Sequence, residues 1–79
     1  MVKLNIINMT NFLDTVNECN GSVNLLHSDG RKENINKQYD IQKNLLQKYG
    51  RNNNYLKLSL DIPNRNDYLR IVYFTIGDC

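Results

Sequence analysis

The only histidine of the chain, His27, stands in the segment LLHSDGRKEN beside a serine, an aspartate and a glycine. Because an imidazole titrates near neutral pH, a histidine can serve as a general base or as a metal ligand. Ser28 and Asp29 follow it directly, but a catalytic Ser/His/Asp triad needs a geometry that three consecutive residues cannot supply. The pair Asp29-Gly30 instead predicts a type I′ turn, which has positive φ at both central positions. We therefore interpret the segment as the tip of a β-hairpin and assign His27 no catalytic role.

The other residue types that carry chemistry are too scattered to predict a catalytic, cofactor or metal site. The four glycines stand singly, which excludes the dinucleotide-binding GxGxxG fingerprint and the Walker phosphate loop. None of the aspartates forms the Asp-x-Asp pair expected of a two-metal centre. Cys19 and Cys79 lie far apart and form no CxxC motif, so we expect both to be free thiols in a reducing compartment. We expect a protein that is not an enzyme and needs no cofactor.

Positive charge gathers in the middle third of the sequence. The formal net charge is only +2, which by itself does not predict nucleic-acid binding. Cations in this region can follow a phosphate backbone, although they come without an aromatic platform on which bases would stack. A solvated helix face is the simpler interpretation of the same residues. The candidate nucleic-acid patch consists of Arg31, Lys32, Lys37, Lys43, Lys48 and Arg51.

Hydrophobic periodicity predicts the elements that position these residues. Alternation of apolar and polar residues predicts strands at 2–6, 22–28, 31–35 and 55–62. Apolar residues at helical spacing predict helices at 9–19 and 36–49. Asn8 or Thr10 is expected to cap the first helix, and Gly21 to supply a left-handed residue after it.

The C-terminal segment 64–77 carries conflicting patterns. Its β-branched and aromatic residues favour a strand, whereas Asn64 and Asp67 are spaced as the cap and the first-turn acid of a helix. We predict a helix. The side expected to face the sheet consists of Leu69, Val72 and Ile76. Ile71 and Phe74 then lie on the opposite side, where they form either a candidate protein contact or a layer between the other two helices.

The element order β-α-β-β-α-β-α within one small domain, residues 1–79, predicts an α+β fold. Strands with one apolar face predict a two-layer sandwich, in which three helices cover one face of a four-stranded sheet. A ferredoxin-like core followed by a C-terminal helix is the alternative. The start of the chain lacks the apolar region of a signal peptide, and no run is long enough for a membrane span. We therefore expect a cytoplasmic protein with no membrane partner.

Two long stretches of the chain carry a family resemblance. The opening VKLNIINMTNFLDTVNECNGSVNLLHSDG and the end LSLDIPNRNDYLRIVYFTIGDC resemble a family of very short proteins of Clostridium-type Firmicutes. The resemblance implies an origin in a conjugative transposon or another mobile element, and it brings no established activity. Some members bear the name polyA polymerase. The residues here do not support that name, because a nucleotidyltransferase needs a Gly-Ser loop and closely spaced acids for two metal ions.

These observations favour a small, non-catalytic accessory or protein-interaction module of a bacterial system. Its partner would be an unidentified protein or a second copy of the chain. The alternative is a weak nucleic-acid-binding protein that uses the basic region 31–51. The dependence of binding on salt concentration distinguishes these two hypotheses, since phosphate binding weakens steeply with ionic strength and an apolar contact does not.

Overall fold

The computed structural model describes the backbone of residues 2–78 and the side chains of residues 2–76. Over this range the chain forms four strands and three helices in the predicted order, which confirms the α+β class. The elements are β1 (Val2–Ile6), α1 (Met9–Asn17), β2 (Asn24–Leu26), β3 (Lys32–Asn34), α2 (Tyr39–Arg51), β4 (Leu56–Asp61) and α3 (Arg65–Asp78).

The sheet is antiparallel, and its strands lie in the order β1-β4-β2-β3. β4 pairs with β1 along the whole of β1, beginning with Val2 opposite Leu60. Its ladder with β2 is limited to two pairs, Asn24 opposite Asp61 and Leu25 opposite Leu60. The polar strand β3 forms one edge, a position that suits a short strand of polar residues. Because β1 forms the other edge, the ferredoxin-like alternative, which has its first strand inside the sheet, is not observed.

The hydrophobic core lies between the sheet and a single layer of helices. Alternate residues of β1 and β4 are buried, whereas Lys3, Asn5 and Lys57 between them are exposed. The other face of the sheet is therefore left open. Helix α1 packs against both α2 and α3, and its residues Phe12 and Val16 are fully buried. The predicted sandwich, with three helices on one face, is confirmed.

The two ends of α1 differ in how well the sequence predicted them. Asn8 caps the first turn, because its side-chain oxygen accepts a hydrogen bond from the backbone N–H of Asn11 at 3.1 Å. At the other end the expectation for Gly21 is wrong, since Gly30 is the described glycine with positive φ. Gly21 instead allows a close approach. An added Cβ there would lie 3.3 Å from Oδ2 of Asp67.

Helix α3 forms as predicted, but it packs with the other side inward. Its cap is Asn64, whose Oδ1 accepts the backbone N–H of Asp67 at 3.1 Å. Ile71 is fully buried, and the ring of Phe74 packs against Phe12 with centroids 6.1 Å apart. The predicted inner side is instead partly or largely exposed; its members are Leu69, Val72 and Ile76. At about 100° per residue these two sides are roughly half a turn apart.

The rotation of α3 follows from one polar residue. The Asp67 carboxyl group is fully buried and accepts hydrogen bonds from the backbone N–H groups of Asn20 at 3.1 Å and Gly21 at 2.8 Å. Position 67 must therefore face the loop after α1. Ile71, one turn later, then faces the core. A buried carboxyl group without these partners would cost far more than the exposure of a few apolar side chains.

Candidate interaction surfaces

The segment with the histidine is a hairpin tip, as predicted, but the turn is of another type. The His27 N–H donates to the Arg31 carbonyl at 2.9 Å, and the Gly30 N–H donates to the His27 carbonyl at 3.0 Å. Only Gly30 of the loop has positive φ, at 91°. The loop is thus a three-residue connection with a left-handed glycine, not a type I′ turn. Asp29 favours this form because its Oδ1 accepts the Arg31 N–H at 3.0 Å.

His27 has a structural contact across the hairpin. Its Nε2 lies 3.1 Å from Oε1 of Glu33 on β3, and both side chains are partly exposed. Ser28, the neighbouring hydroxyl, is exposed at the tip of the loop. The imidazole and the carboxylate link the two arms of the hairpin.

The first half of the candidate nucleic-acid patch is engaged in local contacts. Arg31 pairs with Asp29 at 2.7 Å, and Lys32 on β3 pairs with Asp61 on β4 at 2.9 Å. The backbone N–H of Arg31 and then its guanidinium lower the pKa of Asp29. The hydrogen bond from Lys32 likewise lowers the pKa of Asp61. These cations are therefore already matched by carboxylates.

The remaining members of the patch lie on α2 and in the loop before it. Lys37 donates from Nζ to the Cys19 carbonyl at 3.2 Å. Lys43, Lys48 and Arg51 are exposed on α2 and have no ion pair within residues 2–76. Asp40 stands one turn before Lys43 on the same helix. The structure thus divides the predicted patch into a neutralised hairpin and a short row of helix cations.

The two candidate contact residues, Ile71 and Phe74, are not available for a partner. Ile71 is in the core, and Phe74 packs against it from its edge. The solvent side of α3 instead carries a row of apolar and aromatic side chains, which we call the outer α3 face. It consists of Tyr68, Leu69, Val72, Tyr73 and Ile76. Tyr73 and Ile76 are 66% and 78% exposed.

The outer α3 face has little charge. Arg65 stands at its N-terminal end on the same side of the helix. Arg70 lies next to the outer α3 face, and its guanidinium reaches the Glu18 carboxylate at 3.5 Å, away from the apolar row. The sequence analysis predicted the apolar pattern of this face but assigned it to the core. The sequence alone does not show that the Asp67 carboxyl group is buried, and this burial turns the opposite side of α3 inward.

A network of buried amides, which the sequence analysis missed, holds the loops beneath these elements. Gln42 on α2 donates from Nε2 to Asn17 Oδ1 at 2.7 Å and to the Ile35 carbonyl at 2.8 Å. Asn36 donates from Nδ2 to the carbonyls of Cys19 at 3.0 Å and Gly21 at 2.6 Å. These side chains donate hydrogen bonds to backbone carbonyl groups in the loops that connect the helices and strands. Their role is structural.

A cavity of about 640 Å³ opens where β2 and β4 separate. From Leu56 to Ser59, β4 pairs with β1 and has no ladder partner on its other side within residues 2–78. The β2 hairpin lines the cavity on this unpaired side, and Leu45 and Lys48 of α2 line it as well. We call it the β2–β4 cavity.

Residues 2–76 contain no group of three or more His, Cys, Asp or Glu side chains placed to hold a metal ion. Within residues 2–78, no helix combines the length and the apolar character that a bilayer crossing requires. Cys19 is a buried free thiol, and Cys79 lies outside the described residues.

Comparisons of the chain with family models, with curated proteins and with solved structures find no match.

Proposed function

We propose that the chain is a non-catalytic protein-interaction module that associates through the outer α3 face, and that its partner there is a second copy of itself. The observation that carries this proposal is the exposure of Tyr73 and Ile76, side by side on one helix. Contiguous apolar and aromatic surface of this kind is typical of protein contacts. A chain with a thin core gains stability when such a face is covered.

The spacing of the outer α3 face supports helix-to-helix packing. Leu69, Val72 and Ile76 follow one another at three and four residues, which is the spacing of a seam between two helices. Large side chains at Tyr68 and Tyr73 flank this seam. Two copies of the face can therefore interlock along their length.

Charge favours an antiparallel pair of identical helices. Arg65 lies at the N-terminal end of α3, where the helix macrodipole is already positive. In an antiparallel dimer, Arg65 of each copy meets the carbonyl end of the opposite helix, which carries partial negative charge. The same contact occurs twice around a two-fold axis, as in an isologous dimer.

Sedimentation equilibrium tests the proposal. Because a single pair of short helices buries less than the roughly 1,200 Å² of a standard interface, we expect a dissociation constant in the micromolar range. The double variant Tyr73→Lys/Ile76→Lys should be monomeric, with a circular dichroism spectrum like that of the parent chain. The matched control is Tyr39→Lys, which changes a tyrosine that is 67% exposed on α2. This control should dimerise like the parent.

A parent chain that stays monomeric up to millimolar concentration overturns the proposal. A double variant that dimerises as well as the parent also overturns it, because the contact then lies elsewhere.

The resemblance of both ends of the chain to short proteins of Firmicutes mobile elements supports an accessory role in the bacterial cytoplasm as part of the same proposal. The engagement of Arg31, Lys32 and Lys37 in local contacts makes nucleic-acid binding through region 31–51 the weaker alternative.

A further inference from the structure

We propose that the β2–β4 cavity binds a small anion with an apolar body, of the class of medium-chain carboxylates and alkyl phosphates. Its volume of about 640 Å³ falls in the range of small-molecule sites, roughly 300–1,000 Å³. The proposal is independent of the dimer, because the cavity and the outer α3 face have no residue in common.

The floor of the cavity suits an apolar body. Leu25 of β2, Leu45 of α2 and Leu58 of β4 all line it, and each is buried in the fold. Their contact with the cavity lets a ligand cover apolar surface without any change in the core. Leu26, which is half-buried, extends this surface toward the open face of the sheet. Each buried methylene group of a ligand contributes about 0.8 kcal/mol of transfer free energy.

The rim of the cavity suits an anion. Lys3 and Lys57 line it from the open face of the sheet, and Lys48 lines it from α2. Among the described residues, no aspartate or glutamate lines the cavity. Asp61, which continues β4 beyond the cavity, is already paired with Lys32. The three lysines therefore give the cavity a positive potential that no lining carboxylate offsets.

The competing occupant is an added β-strand, since β4 has an unpaired edge from Leu56 to Ser59. Strand addition relies on main-chain hydrogen bonds and on pockets for alternate side chains. It does not require the three lysines that line the cavity. It would also have to pass Leu45 and Lys48, which line the cavity from α2. The charge of the cavity thus favours a small anion.

NMR titration of the ¹⁵N-labelled chain tests the site with four probes of equal chain length. These probes are decanoate, decyl phosphate, decanol and decyltrimethylammonium, each kept below its micelle concentration. We expect saturable shifts of the Leu26, Lys57 and Leu58 amides with both anions, and affinities at least tenfold weaker for the alcohol and the cation. Comparison of decanoate with decyl phosphate then shows which anionic group the site prefers.

Paired variants separate the cavity from general surface binding. Lys3→Gln/Lys57→Gln should weaken decanoate binding at least tenfold, whereas Lys43→Gln/Arg51→Gln, which removes two cations from α2 outside the cavity, should leave it unchanged. Tyr73→Lys/Ile76→Lys should also leave it unchanged, because the outer α3 face is not the site. The proposal fails if no probe gives saturable shifts or if decanol binds as tightly as decanoate. It also fails if Lys3→Gln/Lys57→Gln and Lys43→Gln/Arg51→Gln lose affinity for decanoate equally.

Discussion

Asp67 is the residue that joins the start of α3 to the loop after α1. Within residues 2–76, its carboxyl group lies within hydrogen-bond distance of two backbone N–H groups, those of Asn20 and Gly21, and of no cation. Backbone donors and the positive end of α3 together supply the stabilisation that a buried carboxyl group needs. The absence of a side chain at Gly21 is part of the same contact, since a Cβ would crowd Oδ2.

Removal of the Asp67 carboxyl group should therefore lower the free energy of unfolding by about 3 kcal/mol or more. Asp67→Ala leaves two partly buried N–H groups without their acceptor, and an unsatisfied buried group costs roughly 1–3 kcal/mol. Urea denaturation followed by circular dichroism measures the loss. Asp14→Ala, at an exposed position of α1, is the control and should change stability by less than about 0.5 kcal/mol. Equal losses in the two variants would contradict the assigned role of Asp67.

The thiol of Cys19 gives a prediction about pH. Burial raises its pKa from the ordinary 9.0 to about 11, and the neighbouring Asp67 adds to the increase. Because the folded chain favours the neutral thiol, the resulting stabilisation is complete below about pH 9 and is lost as the pH rises through 11. The parent chain should therefore lose more stability over this interval than Cys19→Ala does.

Alkylation tests the burial that causes this shift. In Cys79→Ser, which leaves Cys19 as the only thiol, iodoacetamide should react slowly near neutral pH and much faster once urea unfolds the chain, as followed by mass spectrometry. Equal rates in the folded and unfolded chain would show that Cys19 is accessible.

At the scale of elements, α3 shows which parts of the fold a sequence can predict. The spacing of Asn64 and Asp67 predicted the helix, and Asn64 is one of its two predicted caps, because capping is a local interaction. Its rotation could not be predicted, since α3 is apolar on nearly all sides and the deciding contact is with a loop far away in sequence. For the hairpin, too, the sequence predicted the position but not the detailed conformation. Gly30 marked the tip, but the side-chain contacts of Asp29 select the turn type.

Truncation of one residue on each side of α3 checks its rotation. Ile71→Ala should lower the free energy of unfolding by about 2–4 kcal/mol, because it leaves a cavity in the core. Ile76→Ala, at a largely exposed position, should change it by less than about 0.5 kcal/mol. Both are measured by urea denaturation at concentrations where the chain is monomeric. A larger loss for Ile76→Ala would mean that the helix faces the sheet with its other side.

At the scale of the whole molecule, the layer arrangement was predictable and the surfaces were not. Alternating strands require a single covered face, so the sandwich follows from the sequence. The candidate sites depend on pairings between distant segments. Lys32 lies on β3 and Asp61 lies on β4, and the two meet only because β2 pairs with both of these strands. The β2–β4 cavity likewise exists because the ladder between these strands is short. The length of this ladder depends on both strands together and cannot be predicted from the sequence of either one.

The pairing of β1 with β4 has a consequence for the order of events during synthesis. Within the described residues, β1 has β4 as its only ladder partner, and nearly the whole fold lies between them in sequence. On the ribosome β1 emerges first and has no strand to join until β4 follows. Closure of so long a loop makes folding slower than the formation of local helices or of the hairpin. We therefore expect the sheet to be completed late, after β4 has been synthesised.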